Sequence, residues 1–167
     1  LYKKLFQQIS TLIDLDIFLL ALSLQEDNCM QIVYLVEDGH LVHNKIGWKK
    51  SYQDGGLTGW IIQNKQSFLS SNTKHDQLPA HLVEDSKPIQ SWLGVPLIVK
   101  GEAIGVISVQ SYLAGAFTPD QQRTLELLAS QAAIAIDNAR LLENSRRQID
   151  RLTALHDIDV VINSSLD

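Results

Sequence analysis

The sequence is poor in cysteine and short of basic residues, and both shortages narrow what the chain can do. Cys29 is the only cysteine among 167 residues, which excludes an internal disulfide, a cysteine zinc cluster and a redox cycle that needs two thiols. Fourteen Lys and Arg stand against nineteen Asp and Glu, for a formal net charge of −5. Because no basic cluster is present either, we expect no nucleic-acid partner.

Long apolar runs are also missing. The longest near-continuous one, Ile17 to Leu24, is far shorter than the roughly 20 residues that a membrane span needs. The N-terminal residues lack the basic start, apolar block and small-residue cleavage site of a signal peptide. We therefore expect a cytoplasmic chain without membrane contact. The composition, 45% apolar and 20% charged, is ordinary for one substantial core.

The first third of the chain predicts a helix followed by an antiparallel meander. Residues 1–13 carry apolar side chains at helical spacing. The pair Asp38-Gly39 is the strongest short hairpin signal that a sequence offers. Three strands with high apolar, β-branched or aromatic content are predicted on either side of the turns, at Ile17–Leu24, Gln31–Val36 and Leu41–Ile46.

The middle of the chain is less regular. Leu57–Lys65 is typical of a short helix, and Ser67–Ser70 of a brief strand. Asn72 to Pro88 shows no convincing period. Since long structureless stretches inside compact domains are often binding loops or lids, we expect the loop 71–90 to close over a ligand.

The last third predicts a strand pair, Ser91–Val99 and Ala103–Tyr112, joined by a glycine turn and followed by a long helix. Thr118 and Gln121 have the spacing of a capping box at its start. Beyond Leu142 the apolar seam covers fewer than three heptads. It is compatible with an ordinary amphipathic helix and with a parallel dimeric signalling helix.

Both ends of the chain are predicted to be helical. The first residues are apolar with no capping residue before them, and the stretch from Ser145 to Asp167 has no partner within the chain. These unfinished ends predict a fragment of a longer protein.

Three motifs follow one another in an order and spacing that are specific in combination. They are Gly56-Leu57-Thr58-Gly59-Trp60, then Ser91-Trp92-Leu93-Gly94-Val95-Pro96-Leu97, and Ile104-Gly105-Val106-Ile107-Ser108-Val109-Gln110-Ser111 with Phe117-Thr118-Pro119-Asp120 behind it. With them, residues 1–145 resemble the GAF domain. The resemblance implies an α+β, GAF/PAS-like (profilin-like) fold. In it, an antiparallel sheet of five to six strands is flanked by helices, with the long N- and C-terminal helices packed on one face.

The resemblance also implies a function. The other sheet face would hold a ligand pocket under the short helix and the irregular loop. The domain would act as a sensory or dimerising module before an output such as a histidine kinase or a cyclic-nucleotide enzyme. Residues 146–167 look like a helical linker into a further module. A homodimer would form through residues 1–13 and 119–160, with candidate contacts at Leu5, Ile9, Leu142, Ile149 and Leu152.

We therefore expect a regulatory module of a bacterial-type signalling protein, for example in a two-component system, and not an enzyme. Two alternatives stay open. One is a small-molecule receptor whose closed pocket takes a heterocycle, a nucleotide or haem, and the other is a dimerisation scaffold without a ligand.

The sharper activities of GAF domains fit these residues poorly. Cyclic-nucleotide-binding relatives carry Asn-Lys and Asp-Glu pairs where this sequence has Ser111-Tyr112 and Gln121-Gln122. Bilin-binding relatives place a cysteine on the ligand side beside a histidine, whereas Cys29 begins a predicted strand without one. Relatives that reduce methionine sulfoxide need several cysteines, which excludes that chemistry here.

Histidines offer no metal site. His75 and His81 lie in the irregular loop near Asp76, Glu84 and Asp85, but without a recognised ligand spacing. A haem ligand from one of these two histidines is the remaining alternative. Neither a Gly-x-Ser-x-Gly elbow nor a phosphate loop is present, so we predict no catalytic residue. No motif names a cofactor.

Aromatic side chains at the presumed ligand end suggest where a pocket would lie. Binding pockets are mostly apolar with a few placed polar groups. The alternative is that these rings simply fill the core. The candidates are the aromatic residues Trp48, Tyr52, Trp60 and Trp92 and the loop residues Asn72, His75 and Asp76.

Overall fold

The computed structural model describes residues 1–84 and 87–165. Asp85, named above as an acidic neighbour of the loop histidines, lies outside the described residues, as do residues 166 and 167 of the predicted linker. The helices and strands are α1 (Tyr2–Leu12), β1 (Ile17–Leu24), β2 (Cys29–Glu37), β3 (His40–Leu41), β4 (Lys49–Ser51), α2 (Leu57–Asn64), β5 (Phe68–Ser70), β6 (Ser91–Val99), β7 (Glu102–Ser111) and α3 (Pro119–Ser165).

The described strands form one antiparallel sheet. Its order is β3-β2-β1-β7-β6-β5, and β4 pairs with β2 off this path. The predicted antiparallel α+β fold is confirmed. The described sheet has seven strands and not five to six, because the polar segment Lys49–Ser51 also pairs, through Lys50 with Met30.

Two hairpin turns form as their sequences predict. Asp38 and Gly39 have φ values of 48° and 78°, and Lys100 and Gly101 have values of 50° and 80°. Two consecutive left-handed residues match the right-handed twist of the strands they join, and glycine reaches this region without strain. These turns set the pairing of β2 with β3 and of β6 with β7.

The predicted strand Leu41–Ile46 is wrong in its length. Only His40–Leu41 pairs with β2, and His43–Lys45 turns as a short 3₁₀ helix. Gly47 donates its N–H to the Ile32 carbonyl at 2.8 Å, and Ile32 donates to the Trp48 carbonyl at 2.9 Å. The chain thus folds back onto the same strand, β2, which leads into β4.

Alternate residues of β1 face opposite sides of the sheet. Phe18 faces α1, since its ring lies 5.4 Å from that of Phe6. Ala21 belongs to the buried apolar cluster that includes Leu57 and Ile61 of α2. We call these two sides the α1 face and the α2 face.

The chain divides into two compact units, Leu1–Ile134 and Ala135–Asp167. The first holds the sheet, and the start of α3 has the predicted capping box. Thr118 N–H donates to Gln121 Oε1 at 2.9 Å, and Gln121 N–H donates to Thr118 Oγ1 at 3.2 Å. The second unit is helical, and its side chains are exposed from residue 141 to residue 164. No helix in the described part of the chain has the length and apolarity to cross a bilayer.

Candidate functional site

A cavity of about 100 Å³ opens on the α2 face of the sheet. Its floor comes from residues that point to this face from neighbouring strands. Ile17 and Leu19 contribute from β1, Met30 and Leu35 from β2, and Trp92 from β6. The cavity is therefore apolar over most of its depth, as small-molecule sites are.

The irregular loop forms the roof. Leu82, Val83 and Ile89 line the cavity from above. Two hydrogen bonds hold this roof in place. Leu57 N–H of α2 donates to the His81 carbonyl at 3.1 Å, and Ile89 N–H donates to Glu84 Oε1 at 2.9 Å.

Gly56 lets the roof come this close to α2. A Cβ there would stand 2.3 Å from the His81 carbonyl oxygen, and its φ of 57° already favours glycine. The Gly-Gly-Leu motif thus fixes the distance between α2 and the loop, and with it the height of the cavity.

One end of the cavity carries a network of charged groups. Glu37 lines the cavity and accepts a hydrogen bond from the Tyr112 hydroxyl at 3.0 Å. Lys87, also a lining residue, lies 2.5 Å from Asp38 Oδ2 and 4.8 Å from the centre of the Tyr112 ring. This network ties the end of the loop to the β2–β3 hairpin.

The network also shifts proton affinities. Burial, followed by the hydrogen bond to Glu37, raises the pKa of Tyr112 well above its ordinary value, because both favour the neutral phenol. The hydrogen bond to Asp38 raises the pKa of Lys87. Both groups therefore keep their protons at any physiological pH.

The opposite end of the cavity is formed by β4 and the start of α2. Lys50 and Thr58 line it, together with Gly55 and Leu57. Met30 joins the two segments. It pairs with Lys50 across the sheet, and a Cβ on Gly55 would stand 2.2 Å from its Cε.

The structure brings two of the predicted pocket residues to the cavity. Trp48 lines it and is 50% exposed, and Trp92 lines it and is 2% exposed. Tyr52 lines a second, more open hollow and shares a hydrogen bond of 2.7 Å with Ser23. Trp60 packs edge-on against Phe68, with ring centres 6.2 Å apart.

The three predicted loop residues lie away from the cavity lining and form a turn of their own. Asp76 accepts hydrogen bonds from Ser70 Oγ at 2.7 Å and from the Asn72 N–H at 3.0 Å. The backbone bond and then the serine bond hold the pKa of this carboxyl below its usual value. Asn72 Oδ1 accepts from the Lys74 N–H at 3.3 Å, and His75 is exposed. These polar groups therefore shape the loop.

The five predicted dimer residues fall into two classes. Leu5 and Ile9 are buried within the first unit, so their side chains are unavailable to a second copy in this conformation. Leu142, Ile149 and Leu152 lie in the second unit, and each is more than half exposed.

Sequence reasoning missed most of the cavity wall. Leu19 and Met30 belong to no motif, because apolar lining has the same composition as core. Lys50 and Glu37 also lie outside the motifs, and Thr58 lies in one without marking a cavity. One signal was available. Lys50 lies five residues before Gly55 of the Gly55-Gly56-Leu57 break, on a segment that the sequence assigns to no element.

The lone cysteine and the histidines stand apart from this site. Cys29 is half-buried in β2 and is a free thiol. The His40 ring lies 2.8 Å from the carbonyl of Asp38. Within residues 1–84 and 87–165, no three side chains of His, Cys, Asp or Glu gather as a metal site would require.

The family model described as "GAF domain" matches residues 3–137, most of the chain. The chain belongs to the GAF domain family. Members of this family act mainly as regulatory sensory modules of signalling proteins.

Solved GAF structures share the fold. The GAF domain of an Acinetobacter phosphoenolpyruvate-protein phosphotransferase superposes with a TM-score of 0.68 at 20% identity, over 81% of this chain and 79% of that one. The GAF domain of a two-component sensor histidine kinase from Bacillus halodurans gives 0.66 at 17%, over 85% and 95%.

Some proteins of this fold are enzymes. A free methionine-R-sulfoxide reductase from Thermoplasma acidophilum gives a TM-score of 0.62 at 20% identity, over 76% of this chain and 83% of that one. At these identities the likeness concerns the fold alone.

Proposed function

We propose that this GAF domain is a sensory module that takes a small molecule into the cavity on its α2 face. One observation carries the proposal. The apolar cavity lies under a loop that is held by a few hydrogen bonds, and it has polar groups at both ends. A ligand that contacts both Trp92 below and Ile89 above would stabilise the closed loop, and the closed loop is the signal.

The size of the cavity limits the ligand. An engineered protein cavity of about 150 Å³ holds benzene, whereas sites for drug-sized ligands measure about 300 to 1,000 Å³. At about 100 Å³, the closed form accepts a compound no larger than benzene, that is, of at most about six non-hydrogen atoms. This volume argues against a cyclic nucleotide, a bilin or haem in the closed form.

Cavity filling tests the proposal. Leu19→Phe puts a ring into the cavity, and Leu12→Phe makes the same change at an exposed position of α1. We expect compounds from a library of small fragments to raise the Tm of the unchanged protein and of Leu12→Phe, and to have no effect on Leu19→Phe. The proposal would be contradicted if no compound of the library raised the Tm of the unchanged protein, or if the Tm shifts were equal in all three proteins.

A second candidate function, dimerisation, is favoured by the second unit. Three apolar residues of α3 are exposed at the spacing of a coiled-coil seam: Leu142, Ile149 and Leu152. Their neighbours from residue 141 to residue 164 are exposed as well. A parallel pairing of this helix would pass changes in helix packing to an output domain such as a histidine kinase.

The dimer is tested by sedimentation equilibrium. The double variant Ile149→Asn with Leu152→Asn places amides in the seam and should convert the dimer to monomer. Leu141→Asn is the matched control, since neighbouring residues point about 100° apart around a helix and Leu141 is equally exposed. A protein that sediments as a monomer at high micromolar concentration would reject this function.

A further inference from the structure

The end of the cavity at β4 holds a cation without a counter-ion. Lys50 is half-buried and lines the cavity, and its side-chain ammonium forms neither an ion pair nor a hydrogen bond with any residue in the described part of the chain. Its neighbour Lys49 differs. Lys49 is exposed and lies 3.9 Å from Asp27.

Thr58 lies on the same wall. It is 7% exposed, and its hydroxyl has no hydrogen-bond partner among the described residues. It belongs to the first turn of α2, a helix whose N-cap, Gly56, offers no side-chain cap. The first backbone N–H groups of a helix lack intrahelical partners and attract anions, apart here from that of Leu57, which donates to the His81 carbonyl.

The other charged groups of the wall have partners of their own. The described lining residues include three lysines, Lys45, Lys50 and Lys87, and one carboxylate, Glu37. Glu37 already accepts from Tyr112, Lys87 already faces Asp38, and Lys45 also has an interaction partner. Glu37 stands seven residues from Met30 along β2, which is about 23 Å, so its charge acts weakly at the Lys50 end.

We infer that the ligand of this cavity is a small monocarboxylate with a compact apolar body. Its carboxylate would accept hydrogen bonds from the Lys50 ammonium and the Thr58 hydroxyl, and its body would lie against Leu19, Met30 and Trp92. A single unpaired cation compensates one negative charge, whereas a phosphate monoester carries close to two at pH 7. This inference rests on the proposed function, since it names the class of molecule that the sensory cavity takes.

Three compounds of similar shape test whether the cavity prefers a negatively charged ligand. Butyrate, butyramide and butylamine carry the same short chain with an anionic, a neutral and a cationic head. Chemical-shift changes in the NMR spectrum of the protein give their affinities. We expect butyrate to bind at least about tenfold more tightly than butyramide, because hydrogen bonds to charged groups are the strong ones, and butylamine not to bind.

Two variants and a matched control test whether these wall residues hold the carboxylate. Lys50→Met keeps the length of the side chain and should weaken butyrate by about tenfold while leaving butyramide unchanged. Lys49→Met is the matched control and should change neither. Thr58→Val keeps the shape and should weaken butyrate by a smaller factor.

The outcomes separate this inference from the proposed function. If butyramide or butylamine binds more tightly than butyrate, or if Lys50→Met leaves butyrate binding unchanged, the inference is overturned and the sensory cavity stands. If butyrate fails to bind but neutral fragments raise the Tm through the cavity, the same conclusion follows. If no compound of either set binds, both are overturned.

Discussion

Adjacent residues of one strand, β1, meet two different environments. Phe18 and Leu20 point to the α1 face and are 0% exposed. Ile17 and Leu19 point to the α2 face and are only half-buried, because the cavity lies above them. The strand is central in the sheet, so its position cannot explain the difference. What differs is how fully each face is covered.

The comparison teaches where stability and binding reside. On the α1 face Phe6, Phe18 and Tyr34 pack ring against ring, with centres 5.4 to 6.3 Å apart. On the α2 face the packing stops short and leaves space. A filled face supplies folding energy, whereas an underfilled one holds room for a ligand at the cost of lost contacts.

The largest difference in stability is expected when one side chain is removed from each face. Phe18→Ala should lower the free energy of unfolding by about 3 to 5 kcal/mol, since a fully buried ring is lost. Leu19→Ala should cost less than about 2 kcal/mol, at the low end for such truncations, because its side chain already borders space. Urea denaturation measures both. Equal losses would contradict the distinction between the faces.

The next largest loss of stability is expected when one glycine on each face is replaced by alanine. A Cβ on Gly105 would stand 2.5 Å from the carbonyl oxygen of Ala21, a backbone atom that cannot move aside. A Cβ on Gly94 would meet the far ends of the Trp92 and Ile61 side chains at 2.3 and 2.7 Å.

We expect Gly105→Ala to cost about 1 to 3 kcal/mol, the range of overpacked sites, and Gly94→Ala to cost less. Trp92 can yield toward the cavity, and the Gly94→Ala protein should therefore also lose ligand-induced shifts in Tm. Thermal denaturation of both variants provides the measurement, and a larger loss for Gly94→Ala would contradict the explanation.

The smallest effect concerns the polar end of the cavity. Tyr112→Phe removes the hydrogen bond to Glu37 and should cost about 1 kcal/mol at neutral pH. Tyr34→Phe, on the α1 face, is the control, since the Tyr34 hydroxyl has no hydrogen-bond partner in the described part of the chain. It should cost less.

The raised pKa of Tyr112 also determines whether the free energy of unfolding rises or falls at alkaline pH. Its pKa is raised on folding, so the folded chain keeps a proton that the unfolded chain releases above its ordinary value of about 10. Stability therefore falls as the pH rises past that value. Tyr112→Phe should flatten this fall in urea denaturation between pH 9 and 11 (about one unit on either side of that value), and an unchanged slope would rule out Tyr112 as its source.

Much of the fold could be predicted from the sequence because local rules set it. The apolar run of β1, the Asp38-Gly39 and Lys100-Gly101 turns and the capping box at Thr118 each depend on a few neighbouring residues. The exceptions lie where tertiary pairing prevails. The segment Lys49–Ser51 is polar and lacks alternation, yet β2 accepts it as a strand.

The candidate site was harder to predict. Trp48 and Trp92 reach the cavity, but so do Leu19 and Met30, which no local pattern distinguishes from core residues. Asn72 and Asp76 have side chains that could bind a ligand, but both accept hydrogen bonds from backbone N–H groups of their own turn. Which polar group faces a cavity depends on how the loop lies over α2, and that is decided by contacts between distant parts of the chain.

The alternation of β1 has a consequence for how such a domain diversifies. The side chains that meet a ligand and the side chains that hold the fold share one strand but are separated by its backbone. Substitutions at positions 17 and 19 can therefore change what is recognised while positions 18 and 20 stay as they are. A domain built this way can acquire new ligands by small steps, and it offers the same freedom to anyone who wants to redesign it as a biosensor.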